Sequence, residues 1–189
     1  MIDKMQVKGT LRIFQTRERY PIVGRCFYHA LNRGLLKQVH ETSNMFVDIG
    51  LEAVCALLGG GRGNPTVGGG VYGPTTFGDL RIEWMYLTEE VSPTAPAASD
   101  TYVEGTPTWL GNVAGPPTGN SVLVVSYPAK GEVVFDTVIP PTEKNGSVFT
   151  EEALFTSDGR MLARTTFSYE KEAAFGLQFQ HTLSFERIG

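Results

Sequence analysis

Near the carboxyl end of the chain, Leu177, Phe179, His181, Leu183 and Phe185 alternate strictly with Gln178, Gln180, Thr182, Ser184 and Glu186. Side chains of a strand point to opposite faces in turn, so this run predicts a strand with one core face and one polar face. A helix would scatter the same apolar residues around its whole circumference. Residues 4–14 repeat the pattern, with Met5, Val7, Leu11 and Ile13 on one face and Lys4, Gln6, Lys8, Thr10 and Arg12 on the other. The charged turn from Thr16 to Pro21 is followed by a short apolar stretch, Ile22 to Tyr28, expected as a return strand.

From residue 80 the signal recurs. Leu80, Ile82, Trp84 and Tyr86 alternate with polar neighbours, and apolar or alternating stretches follow near 108–113, 121–127, 133–139, 148–155, 161–169 and 174–188. Each is bounded by Gly, Pro, Asn or Asp, and 22 Gly and 11 Pro favour a turn-rich, mainly β architecture over a helical one. Eight or nine short strands at this spacing predict a β-sandwich or jelly-roll-like domain. Residues 1–40 are read as a basic amino-terminal strand region, continuous with a single β-sandwich domain over 41–189.

One helix is predicted, over about 47–58, because Val47, Leu51, Val54, Cys55 and Leu58 make one apolar stripe ahead of Gly59-Gly60-Gly61. Residues 59–74 hold eight glycines and two prolines and read as a long loop. The run follows a helix, has no Lys and matches neither phosphate-binding glycine motif, so it predicts no nucleotide site. Residues 88–101, rich in Pro, Ala and Ser, predict a second exposed loop. Both loops are expected to be ordered by contact with neighbouring molecules.

A chain of 189 residues can bury enough surface to fold without metal or disulfide. It shows no membrane-length apolar run and no secretory leader, which predicts a soluble protein made in a cytoplasm, with no membrane partner. The net charge of −4 is unevenly placed: residues 1–40 hold eight Lys or Arg against Asp3 and Glu18, a local +6 that leaves −10 for the remainder. The acidic body makes nucleic acid an unfavourable partner, whereas the split suits copies that associate head to body, as a closed ring or trimer.

Chemistry finds little foothold. Cys26 and Cys55 are read as buried, inert thiols, and with only three histidines they leave no zinc-type spacing. His29 and His40 stand eleven apart, which fits no helical metal pair. His181 falls on an apolar strand face and is expected as a core histidine, neutral unless an acid pairs with it. Glu89-Glu90 and Glu151-Glu152 are adjacent pairs whose side chains must diverge on a strand, so each is read as solvated or interface charge. Trp84, Tyr86, Tyr102 and Trp109 could assemble a sugar-stacking platform or simply fill a core.

Three segments resemble a family of virion structural proteins of tailed bacteriophages. Asn44-Met-Phe-Val-Asp-Ile-Gly-Leu51 resembles that family's N-x-x-V-D-x-G-L start of a short helix. Thr94, Pro96, Ala97, Asp100 and Thr101 match its T-x-P-A-x-x-D-T loop. Residues 152–167, EALFTSDGRMLARTTF, resemble its E-x-(G/A)-L-F-x-x-x-G-x-M-L-A-R-x-x-F string, followed by Lys171 and a long alternating strand. The chain differs in the long glycine-rich insert and in Thr88-Glu89-Glu90 where a Gly-Thr-Gly turn is typical. Within the last string, Gly159 suits a tight hairpin turn. Met161, Ala163, Phe167 and Tyr169 are expected to face inward, and Arg160 and Arg164 to face outward toward Glu151 or Glu170.

The resemblance implies a non-enzymatic virion component in multiple copies, contacting tail, neck, fibre or capsid proteins and other copies of itself. It supplies no catalytic residue, and no metal or cofactor is expected. The alternatives are a carbohydrate- or receptor-binding module on a fibre with a surface glycan as partner, a capsid decoration protein, or a hydrolase of unrecognised type.

Overall fold

The computed structural model describes residues 4–47, 81–89, 92–115, 120–157 and 159–188. The helix expected at 47–58, apart from Val47, and the loop expected at 59–74 lie outside them, as do Cys55 and Glu90. The architecture is mainly β with one short helix among the described residues. In chain order the elements are β1 (Lys4–Thr16), α1 (Arg25–Asn32), β2 (Leu36–Phe46), β3 (Ile82–Thr88), β4 (Pro107–Asn112), β5 (Ser121–Val122), β6 (Val124–Ser126), β7 (Glu132–Ile139), β8 (Val148–Thr156), β9 (Met161–Glu170) and β10 (Gly176–Ile188).

The walls of the expected sandwich belong to one continuous sheet, in the order β5-β4-β3-β8-β9-β2-β1-β10-β7-β6. Its two edges meet in a single stretch of chain. Residues 121–122 pair parallel with β4, and residues 124–126 pair antiparallel with β7. The wall therefore curls toward a barrel, which leaves few unpaired edge groups to recruit other strands.

Alternation places the core. Leu11 and Ile13 of β1, Met85 and Leu87 of β3, Trp109 of β4, Phe135 of β7, Leu154 of β8, and Leu177, Phe179 and Leu183 of β10 interdigitate inside the wall. Burying each such side chain stabilises the fold by roughly 1.5–3 kcal/mol. Two smaller clusters cover the outside: Phe14 and Leu36 under α1, and Ala153, Phe155 and Met161 with Val103.

The basic amino-terminal region is integral to this wall, because β1 is hydrogen-bonded between β2 and β10. Two expectations are corrected here. The stretch Ile22–Tyr28 is not a return strand; residues 25–32 form α1. Phe27 and Ala30, three apart, fall on one helical face and pack on Phe14 and Leu36, with the Phe14 and Phe27 rings edge-on at 5.1 Å. The return strand is β2 instead, whose run LKQVHETSNMF is too polar to announce itself. The other correction concerns Met161, which lies in an outer cluster. A register shift between Leu154 and Phe155 pairs Phe155 with Met161 and gives the interior Leu162. The hairpin there turns as expected, with Gly159 at φ 84°.

Candidate functional site

Glu151 and Glu152 do diverge, one to each side of β8, yet both are fully buried, against the expectation of solvated charge. Their different partners follow from the pleat. Glu152 enters the barrel, where His181 Nδ1 lies 2.9 and 2.8 Å from its two carboxylate oxygens. The Asn44 amide meets the other ring nitrogen, Nε2. These partners fit the tautomer with its proton on Nδ1, donating to the carboxylate. Asn44 reaches the ring because it faces Gly9 across the β1–β2 register, where any side chain would occupy the space of its amide. His181 is thus the core histidine expected, with Glu152 as the pairing acid.

Glu151 points outward beneath the 92–106 segment and meets Arg164, expected to face outward and also fully buried. Arg164 Nε donates to Glu151 Oε1 at 2.5 Å, Nη1 to Asp100 at 2.5 Å and Nη2 to Glu104 at 3.1 Å. Glu151 also accepts the Thr88 hydroxyl at 2.9 Å and the backbone N–H groups of Glu104 and Gly105 at 3.1 and 3.2 Å. Burial alone would favour a neutral guanidine, but Asp100 and Glu151 outweigh it and raise the Arg164 pKa further. The segment expected to be ordered by neighbouring molecules therefore carries its own anchor.

A third set of polar groups faces solvent. The outer surface of β1, β10 and β7, with α1 on one side and the 126–132 connection on the other, forms a groove of about 660 Å³. Asp136 lies at its base, 1% exposed, and accepts the side-chain amides of Gln178 and Gln180 at 2.7 and 3.1 Å on Oδ1. Burial pushes its carboxyl up to about 7 despite those hydrogen bonds. A second, apolar concavity of about 670 Å³ opens at one end of the barrel, between Phe135, Leu162, Leu183 and Phe185.

The remaining candidates do not converge. Trp109 is inside the barrel, whereas Trp84, Tyr86 and Tyr102 gather outside around Phe155, with Tyr86 stacked on it at 4.5 Å and Tyr102 at 5.2 Å. The sheet thus splits the expected platform. His29 is exposed on α1, while His40 of β2 tilts against Phe167 at 5.7 Å, where burial lowers its pKa. Cys26, expected to be buried, is exposed on α1. Glu89 pairs with Lys144 at 2.9 Å. Among the described residues no group of three or more His, Cys, Asp or Glu is placed to hold a metal ion.

Sequence reasoning passed over Asp136, although a lone acid inside the mostly apolar run 133–139 is a legible signal for a buried, assisted carboxyl. No protein-family model, curated protein or solved structure matches the chain.

Proposed function

We propose that the chain is a non-enzymatic structural subunit of a tailed-bacteriophage particle, present in many copies and meeting neighbouring tail, neck, fibre or capsid proteins through strand faces and loops. The observation that supports this most is the use the fold makes of residues 152–167, the most specific stretch of the resemblance. Leu154 and Leu162 fill the interior, Phe155 and Met161 an outer cluster, Glu152 holds His181, and Arg164 ties down the 92–106 segment. All of these side chains shape and lock the wall, and a string used in this way belongs to a scaffold. The buried pairs act likewise: His181 and Glu152 are both fully enclosed and have no access to a substrate.

The test is to purify particles of the encoding phage and quantify this chain by mass spectrometry against the major capsid protein, with cross-linking to name its neighbours. The reading expects several copies per particle and cross-links to another virion protein. Recovery of the chain only in the particle-free lysate would overturn it.

A further inference from the structure

The groove over β1, β10 and β7 is built from side chains that the scaffold role does not require. Its floor is the polar face of the alternating strands: Thr182 and Ser184 of β10, Thr10 of β1, and Gln180 held in place by Asp136. Gln180 gives an amide hydrogen to Asp136, which leaves its carbonyl oxygen and second N–H for a ligand. Asp136 Oδ2, buried at the base, has no hydrogen-bond partner. That atom lies below the groove surface, so Asp136 acts by fixing the Gln180 amide and does not itself meet a ligand.

The walls differ from the floor. Tyr28 on α1 and Tyr127 on the facing connection both line the groove and are 62% and 77% exposed. Large aromatic rings left this far in water, on opposite sides of a polar floor, offer flat apolar faces with a hydroxyl at the tip. The charges lining the groove are mixed. Arg12 pairs with Glu41 at 2.9 Å, and Arg25 stands in the same groove as Glu132 and Asp136. No single sign dominates, so neither an anion nor a cation is drawn in strongly.

From this arrangement we infer that the groove binds a neutral oligosaccharide, its ring faces against Tyr28 and Tyr127 and its hydroxyls on Gln180, Thr182 and Ser184. A sugar presents apolar C–H faces and, around its edge, hydroxyls that both donate and accept. That combination matches aromatic walls over a floor of amides and hydroxyls. A protein partner would call for a contiguous apolar centre with depleted charge, whereas here Thr10, Gln180, Thr182 and Ser184 interrupt the apolar Phe14 and Val134 on the floor, and Arg12, Arg25, Glu41 and Glu132 stand around it. The inference is independent of any role in a particle.

The test uses the full chain, fluorescently labelled, on an array of neutral and sialylated oligosaccharides, with the best neutral ligand then titrated by calorimetry. Binding to neutral glycans is expected, weakened about tenfold or more by Tyr127→Ala and by Tyr28→Ala. Tyr20→Ala, an equally exposed tyrosine that does not line the groove, should leave it unchanged. Circular dichroism confirms that each variant folds, and Gln180→Glu supplies a second probe of the floor, expected to weaken neutral-glycan binding by placing a carboxylate beside Asp136. The inference is overturned by an array that stays blank, by preference for sialylated glycans, by binding indifferent to both tyrosines, or by the finding that Tyr127→Ala abolishes a dimer instead.

Discussion

Asp136 belongs to a strand whose other residues from Val134 to Ile139 are buried, and its carboxyl therefore trades solvation by water for two glutamine amides. Those donors do not offset the burial, so the folded pKa is raised from 3.8 to about 7. The sign follows: between these two values the unfolded chain has released a proton that the native chain retains. Stability from this residue is fully present below about pH 4, falls by roughly 1.4 kcal/mol per pH unit as pH rises, and is lost above about 7. Asp136→Asn removes the titrating group and keeps an oxygen for Gln178 and Gln180. Urea denaturation at several pH values should show the stability of the native chain, relative to this variant, declining from pH 4.5 to 7.5 and then levelling. A difference that does not change with pH would mean that the carboxyl is ionised in the fold. His181 was foreseen as a core residue because its apolar neighbours stand at every second position. Glu152 as its partner was not, because nothing local links residues 29 apart on strands that are not adjacent in the sheet.

At the scale of elements, the 92–106 segment illustrates how an irregular stretch can be fixed without a core of its own. Arg164 projects from β9 and binds Asp100 and Glu104 above it and Glu151 beside it, joining the loop to two strands through one guanidinium. Arg164→Met leaves Glu151 buried without its cation and should destabilise the chain by about 3–5 kcal/mol, the usual cost of breaking a buried pair from one side. Limited proteolysis should then cut between residues 92 and 106 well before it does so in the native chain. Equal cutting rates would show that contacts other than Arg164 hold the segment. Arg164→Lys keeps the charge but cannot fork toward three carboxylates, so it is expected to lie between the two. Pro and Ala content marked this stretch as a loop, and the strand pattern sent Arg164 outward; the anchoring depended on a packing partner 60 or more residues away. α1 escapes the sequence pattern for a related reason, since five apolar or aromatic residues among the seven from Ile22 to Tyr28 fit a strand until the hydrophobic surface beneath them is known.

For the whole molecule, the charge split carries a consequence for assembly. Lys8 and Arg12 are paired within the chain, with Glu186 at 2.6 Å and Glu41 at 2.9 Å. Arg19, Arg25, Arg33 and Lys37 stay exposed on and around α1, on a protein of net charge −4. Copies are expected to associate through this basic surface and the acidic remainder in a closed ring or trimer, and to dissociate as salt rises toward about 0.5 M and screens the contact. Sedimentation equilibrium across salt concentrations checks this, and a monomer at high protein concentration and low salt would exclude self-assembly without a partner. The sequence by itself determined the mainly β class, nearly every strand from residue 82 onward, the turn at Gly159 and the side of the sheet taken by His181 and Arg164. Those features depend on the period-two geometry of a strand and on local turn preferences, which act over a few residues. Only the tertiary structure decided that the sheet curls into one wall closed through residues 121–126, that residues 25–32 are helical, and that Glu151, Glu152 and Arg164 are buried. Burial is a property of what packs across a face, and here the covering groups come from segments remote in sequence, whose approach no local pattern records.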